Sequence, residues 1–285
     1  MYLTDLHVHS DVSADSACSM AEMAAAEADC GVQTLCFTDH CDLLDKHTMS
    51  FQPRCLTMLP EAAEKFRALQ CSGPLMPEVL LGIELSESTY RPELAQQLAA
   101  AEGLDFVLGS VHILPELGDF CQFTYTDEAQ CDDLFVRYLD ELQRTAELGC
   151  FDVMAHIGYC SRYMHRAGIE AALTLEKYGD KIRTLLCTLI DKGKGIEINC
   201  SGIRDGCGPF PNAEILKLYR ALGGEIVTVG SDAHSTGNAA ACIREGHALL
   251  RGCGFDYVSV FRQRTPEFIK LNFQSEDIYH DCNRI

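Results

Sequence analysis

Two histidines stand two residues apart in DLHVHS, Asp5 to Ser10, inside a segment patterned as a buried strand. Side chains alternate between the faces of a strand, so His7 and His9 are expected to share one face while Leu6 and Val8 take the other. A pair of core histidines satisfied by hydrogen bonds would also fit. Neutral imidazole is, however, a common metal ligand, and two on one rigid element supply two bonds to one ion. The same spacing returns in SDAH, which aims Asp232 and His234 one way. Further residues able to bind a metal stand at or near the ends of other apolar runs: His40 in FTDH, Glu84 in LLGIEL, His112 in GSVH and His156 in MAH, with Asp15 in the loop after the first run. Mixed imidazole and carboxylate ligands suit Zn, Fe or Mn and do not choose among them.

Four histidines fall outside this pattern: His47 and His165 read as loop residues, His247 as helix surface and His280 as tail. Two arginines follow predicted strand ends on the same side as the ligands, Arg204 after NCSGI and Arg162 after AHIGYCS. A planar guanidinium suits two-pronged contact with phosphate, the alternative being a solvated loop arginine. Ser201 and Ser231 are further candidate donors to a substrate. The sixteen cysteines are scattered without a C-x-x-C pair and read mainly as reduced core fillers, with Cys41 pointing away from any site.

Something must bring these residues together. The chain reads as short, nearly continuous apolar strands alternating with amphipathic helices, several ending in glycine, over 285 residues at 47% hydrophobic content. Helix starts are marked by a capping box at Ser19 and Glu22 and by Asn212, and the longest helix is expected from about Asp127 to Glu147. Seven or eight such units indicate a parallel sheet covered by helices, and chemical residues at nearly every strand end favour closure into one barrel with its active face at the carboxyl ends. A formal charge of −19 argues against nucleic acid as a partner. No apolar run approaches the ~20 residues of a membrane span, and the N-terminus lacks signal-peptide features, so a cytoplasmic location is expected.

The ordered set DLHVHS, FTDH, GIE, SVH, AH and GSDAH resembles the polymerase and histidinol phosphatase (PHP) family across nearly the whole chain. The segments from Glu197 to His234 and from Tyr257 to Leu271 look like its histidinol-phosphate phosphatase branch. The resemblance implies a single domain over residues 1–285, a distorted (β/α)7 TIM-like barrel with the metal site at the C-terminal ends of the strands. It implies one metal on His7, His9, Glu84 and Asp232, a second on Glu84, His112 and His156, and a third on Asp15, His40 and His234, two to three divalent transition metals in all. Asp15 stands where some members use histidine. The activity implied is hydrolysis of L-histidinol phosphate by attack of a metal-bridging hydroxide, with Arg204, Arg162 and Ser201 binding substrate. Asp232, His234 or a metal-bound water would protonate the leaving alkoxide. Asp42 and the segment from His47 to Arg54 are candidates for the imidazole end. Rival readings are a PHP phosphoesterase for a nucleotide or sugar phosphate and a non-catalytic metal-binding regulatory module. Oligomeric state is not legible.

Overall fold

The computed structural model describes residues 1–73 and 77–272. Seven strands, β1 (Thr4–Val8), β2 (Thr34–Phe37), β3 (Glu78–Ser86), β4 (Phe106–Ser110), β5 (Val153–Met154), β6 (Gly195–Asn199) and β7 (Val227–Gly230), lie side by side in chain order, and every neighbouring pair is parallel. A short strand, His40–Asp42, also pairs beside β3. The seam between β7 and β1 is closed only at its upper end, where the His9 amide donates to Ala233 O at 2.9 Å and the Asp232 amide to His7 O at 2.8 Å. Below it, the Asp5 carboxylate accepts the Ser231 amide at 2.9 Å. The result is a nearly closed, distorted barrel of seven strands.

Inward side chains of the lower barrel form a small apolar cluster of Leu6, Cys36, Leu80, Phe106, Leu108, Val153 and Ala155, while Val8, Leu35, Phe37, Leu81 and Ile83 pack outward under the helices. Leu6 therefore departs from the expected alternation. The pairing of β1 with β2 carries a bulge between Asp5 and Val8, and the extra residue turns Leu6 inward beside His7 while Val8 still points out. Gly82 lies between Leu80 and Glu84 on the inner face of β3, where a Cβ would stand 2.6 Å from Phe106 O. Only glycine fits there.

The segment DYVSVF does not supply an eighth barrel strand. Tyr257–Arg262 (β8) pairs antiparallel with Thr265–Lys270 (β9), and Val260 and Phe261 enter the lower apolar cluster. The hairpin is fastened to the amino ends of the strands: Arg262 bonds Glu78, Arg264 bonds Asp152, and Ser259 accepts the Val227 amide. It is a floor to the barrel, opposite the ligand-bearing mouth.

Helices cover the outside. The first, α1 (Met20–Asp29), starts with the expected Ser19–Glu22 capping box, and α4 (Glu128–Leu148) starts at its Asp127 cap, after α2 (Cys55–Cys71) and α3 (Pro92–Ala99). The helix expected at Pro60 begins earlier, at Cys55, so Pro60 lies inside it as the sixth residue and forgoes one intrahelical hydrogen bond. Then follow α5 (Ser161–Arg166), α6 (Leu175–Asp191), α7 (Ser201–Arg204), α8 (Ala213–Ala221), capped by Asn212, and α9 (Ile243–Gly252).

His247 on α9 is not on the surface but fully buried. Its Nδ1–H donates to Ile243 O at 2.8 Å and its Nε2 accepts from the Thr4 amide at 3.4 Å, so the ring is a neutral link between helix and strand. Burial lowers its pKa to about 4. His165 lies on helix α5 rather than in a loop, and His280 is outside the described residues. Every described cysteine is a free thiol; Cys41 is buried in the outer core, whereas Cys30, Cys71 and Cys121 are exposed rather than core fillers. Among the described residues no helix is long and apolar enough to cross a membrane.

Candidate metal centre

All nine candidate ligands converge at the mouth. The β1 bulge delivers His7 and His9 inward, and the pairing of His40–Asp42 with β3 sets His40 opposite Glu84, with Nδ1 2.8 Å from Glu84 Oε2. His112 stands two residues past β4 and His156 two past β5, the latter with φ 26°. Asp232, two residues past β7, has φ 57°. Left-handed backbone at non-glycine residues costs on the order of 1 kcal/mol or more. Two of the inward groups are thus held in conformations that the surrounding structure must impose.

The distances between ligand atoms have one common scale. His7 Nε2 is 3.1 Å from His9 Nε2, 3.6 Å from Glu84 Oε2 and 3.7 Å from Asp232 Oδ1. Glu84 Oε1 is 3.1 Å from His112 Nε2 and 2.8 Å from His156 Nε2, which are 3.3 Å apart. Asp15 Oδ2 is 3.5 Å from both His40 Nε2 and His234 Nε2, themselves 3.4 Å apart. Ligands about 2.1 Å from a tetrahedral ion stand about 3.4 Å from one another. Groups able to hold an ion include His7 with His9 and Asp232, His40 with Glu84 and His112, and His9 with His40 and His234.

Hydrogen bonds fix which nitrogens face inward. His7 Nδ1 lies 2.7 Å from Glu197 Oε1, and a carboxylate can only accept, so Nδ1 carries hydrogen and Nε2 faces the other ligands. His234 Nδ1–H likewise donates to Asp232 O at 3.1 Å. Three Nε2–Nε2 pairs face each other across 3.1 to 3.4 Å. Where both rings turn a lone pair into such a gap the two repel, and a cation between them, proton or metal, relieves the repulsion.

Charge points the same way. Burial would lower the His7 pKa, but Glu197, Glu84 and Asp232 outweigh it and hold the ring well above its usual value. Burial opposes ionisation of Glu84, yet His112, His7 and His40 hold it well below the carboxylate range, and Asp232 is lowered against burial chiefly by His7 and His9. His9 is lowered by burial and by its neighbours His234 and His40. The carboxylates stay ionised and favour positive charge among the rings, which a bound metal cation also supplies. The residues fit the metal centre implied by the sequence.

The mouth opens into a cleft of about 680 Å³ lined by Asp42, His47, Arg54, Tyr159, Arg162 and Arg204 together with the ligands other than His7 and His9. Arg162 is nearly buried, its guanidinium 3.6 Å from Asp232 Oδ2, 3.3 Å from Asp205 Oδ2 and 5.1 Å from the Tyr159 ring centroid. Arg204 is freer and is held through Nη1 by Ser231 O at 3.1 Å. Ser201 departs from its expected role: it is fully buried, its hydroxyl engaged with Asn199, Arg162 and Asp232, so it braces Arg162 instead of facing the cleft. Ser231 is buried too. His165 lines a separate cavity of about 340 Å³ with Ser161 and Phe210.

Several supporting groups were not singled out from sequence. Glu197, besides holding His7, accepts the His156 amide at 2.8 Å. Glu87 accepts the His112 and Ile113 amides at 2.8 and 3.1 Å, fixing the loop that carries His112. A signal for Glu197 existed, because GIEIN places Glu197 and Asn199 on the inner face of β6, between outward Ile196 and Ile198.

Comparison with known proteins follows the same lines. The PHP domain model matches residues 5–201. Histidinol-phosphatase of Lactococcus lactis is 26% identical over 267 residues, spanning 90% of this chain and 93% of that protein. A Thermotoga maritima protein named "Probable histidinol-phosphatase" is 25% identical over 265 residues, spanning 90% and 95%. Among solved structures, Lactococcus lactis histidinol phosphate phosphatase complexed with zinc, L-histidinol and phosphate superposes with a TM-score of 0.74 at 21% identity, covering 93% of this chain and 98% of that one.

Proposed function

The chain belongs to the PHP domain family, and from that premise we propose that it is a metal-dependent phosphomonoesterase hydrolysing L-histidinol phosphate to L-histidinol and inorganic phosphate. The observation that carries the reading is the set of three facing Nε2 pairs, each spanning the distance of two ligands on one ion, beside two arginines in one cleft. His7, His9, Glu84 and Asp232 would hold one ion, Glu84, His112 and His156 a second, and Asp15, His40 and His234 a third. Two to three ions of Zn, Fe or Mn type suit these donors. When bound they supply Lewis acidity and positive charge, which activate water at neutral pH and neutralise phosphoryl oxygens.

The chain's own groups do the rest. Arg204 presents the free part of its guanidinium to the phosphate, and Arg162, stiffened by Asp205, Asp232 and Ser201, lies on the same cleft wall. Phosphoryl transfer leaves little covalent work to the protein beyond such positioning and charge stabilisation. Asp232, His234 or a metal-bound water would pass a proton to the leaving alkoxide. The cleft lining also carries Asp42, Asp45 and Asp119, beside Lys46 and Arg54, and these carboxylates suit the ammonium and imidazole of a cationic leaving group. The free thiols fit the reducing cytoplasm.

The test is phosphate release by the metal-free chain and by chain reconstituted with Zn, Fe or Mn. The panel holds L-histidinol phosphate, mononucleotides, nucleoside bisphosphates and sugar phosphates. Metal-dependent release with the highest kcat/KM on L-histidinol phosphate is expected. Full activity without metal, or a preferred nucleotide or sugar phosphate, would overturn the reading.

A further inference from the structure

Behind His9 lies a pair of side chains outside the proposed ligand sets: Ser13, in the loop after β1, and Asp39, which precedes His40 in FTDH. Ser13, 3% exposed, places its hydroxyl 3.1 Å from His9 Nδ1, and the same oxygen accepts the His40 amide at 3.1 Å. Asp39, 1% exposed, accepts that hydroxyl at 2.6 Å. Its oxygens also take the Ser10 amide and hydroxyl, both at 2.7 Å, and the Ser13 amide at 3.2 Å.

The directions of these bonds follow from counting hydrogens. Four donors point at Asp39, so it is present as a carboxylate and can only accept. Ser13 has one hydroxyl hydrogen, and it goes to Asp39 Oδ1. The Ser13 oxygen is then left with acceptor capacity alone, one lone pair for the His40 amide and one for His9. His9 must therefore carry its hydrogen on Nδ1. That leaves the Nε2 lone pair facing His7, at 3.1 Å, and Asp232, at 3.5 Å.

We propose that Ser13 and Asp39 are positioning residues that fix the tautomer and ring plane of His9 and, through the His40 backbone, tie two ligands from different strands to one hydroxyl. The inference rests on the metal-binding reading above. His7 receives the same service directly from Glu197, whereas His9 receives it through a relay of two residues. Outer groups of this kind typically change metal affinity by ten- to a hundred-fold when removed. Because one hydroxyl serves both His9 and His40, its loss should weaken the ions held by those residues and leave one held by Glu84, His112 and His156 nearly untouched.

Zinc titration of the metal-free full chain against a chromophoric chelator tests this in wild type, Ser13→Ala, Ser13→Thr and Asp39→Asn. Ser13→Ala should bind part of its zinc about ten- to a hundred-fold more weakly, with Ser13→Thr recovering most of the loss. Histidine 15N spectra of the zinc-loaded wild type should show a protonated Nδ1 on His9. Thermal unfolding of each metal-free variant separates this from a packing role, and Ser13→Ala remains a mild variant should Asp39→Asn fail to fold. Wild-type zinc affinity in Ser13→Ala would overturn the proposal, as would equal weakening of every ion in step with a lower metal-free Tm. A wild-type chain that takes up no zinc, iron or manganese overturns the metal reading itself.

Discussion

Arg204→Ala should separate substrate binding from metal binding. Arg204 Nη1 is engaged by Ser231 O at 3.1 Å, and its Nε is 3.7 Å from Asp205 Oδ1, so the guanidinium is aimed by light contacts and keeps donors for a ligand. It makes no hydrogen bond or ion pair with the nine candidate metal ligands. Removing a charge-assisted hydrogen bond to phosphate costs roughly 1.5–3 kcal/mol, or about ten- to a hundred-fold in kcat/KM. Lysine restores charge without the fork, so Arg204→Lys should recover only part of the loss. The assay is steady-state phosphate release from L-histidinol phosphate with metal content measured on the same samples. Zinc content should equal that of wild type, and the share of the loss falling on kcat reports how far the contact strengthens in the transition state. Arg162→Ala should behave differently, because that side chain lies 3.6 Å from Asp232 and its removal disturbs a proposed ligand. Normal kcat/KM in Arg204→Ala would show that the phosphate is held by other groups and refute the role assigned here.

Glu84→Gln should be among the most damaging single changes, since one carboxylate faces His40 with Oε2 and both His112 and His156 with Oε1; wild-type activity and metal content would remove it from the centre. His247 is held neutral in the fold at about 4 but titrates near 6.5 when unfolded, so between those values the unfolded state binds the extra proton and stability falls as pH falls. From pH 7 to 5 this amounts to about 2 kcal/mol by linkage, and urea unfolding should show a shallower acid slope in His247→Gln than in wild type; equal slopes would refute the neutral ring. Thiol counting on denatured, unreduced protein should find nearly all sixteen cysteines free, and several disulfides would contradict the cytoplasmic reading.

Much of this architecture was legible because barrels place chemistry at strand ends, and the sequence repeats that placement at His40, Glu84, His112, His156 and Asp232. The convergence of nine side chains from remote segments needed only the order of the strands. What escaped was irregular. The β1 bulge leaves no mark in an apolar strand, so Leu6 was assigned to the wrong face. The final apolar run has the same composition as a barrel strand, and only its antiparallel partner and its arginine pairs with Glu78 and Asp152 make it a floor. His247 was misassigned because a polar residue on a helix is ordinarily solvated, and the Thr4 and Ile243 contacts that bury it come from tertiary packing. Ser201 and Ser13 each follow a strand end, and only their hydrogen bonds, which the sequence does not carry, show that both brace neighbours instead of facing substrate.

The seam between the first and last barrel strands has a mechanical meaning. His7 and His9 come from the start of the chain, Asp232 and His234 from more than two hundred residues later, and the backbone joins the two edges only near Val8 and Ala233. Ions seated among those four residues would act as a clasp on a hoop, closing a loop whose entropic cost is borne once for the entire barrel. Metal occupancy would then be written into the opening rate of the hoop, with the strand-end amides of His9 and Asp232 exchanging faster in metal-free than in metal-loaded protein. Ions held there would couple being folded to being loaded, so that scarcity of metal would be sensed first as a barrel ajar at one edge and only afterwards as lost turnover.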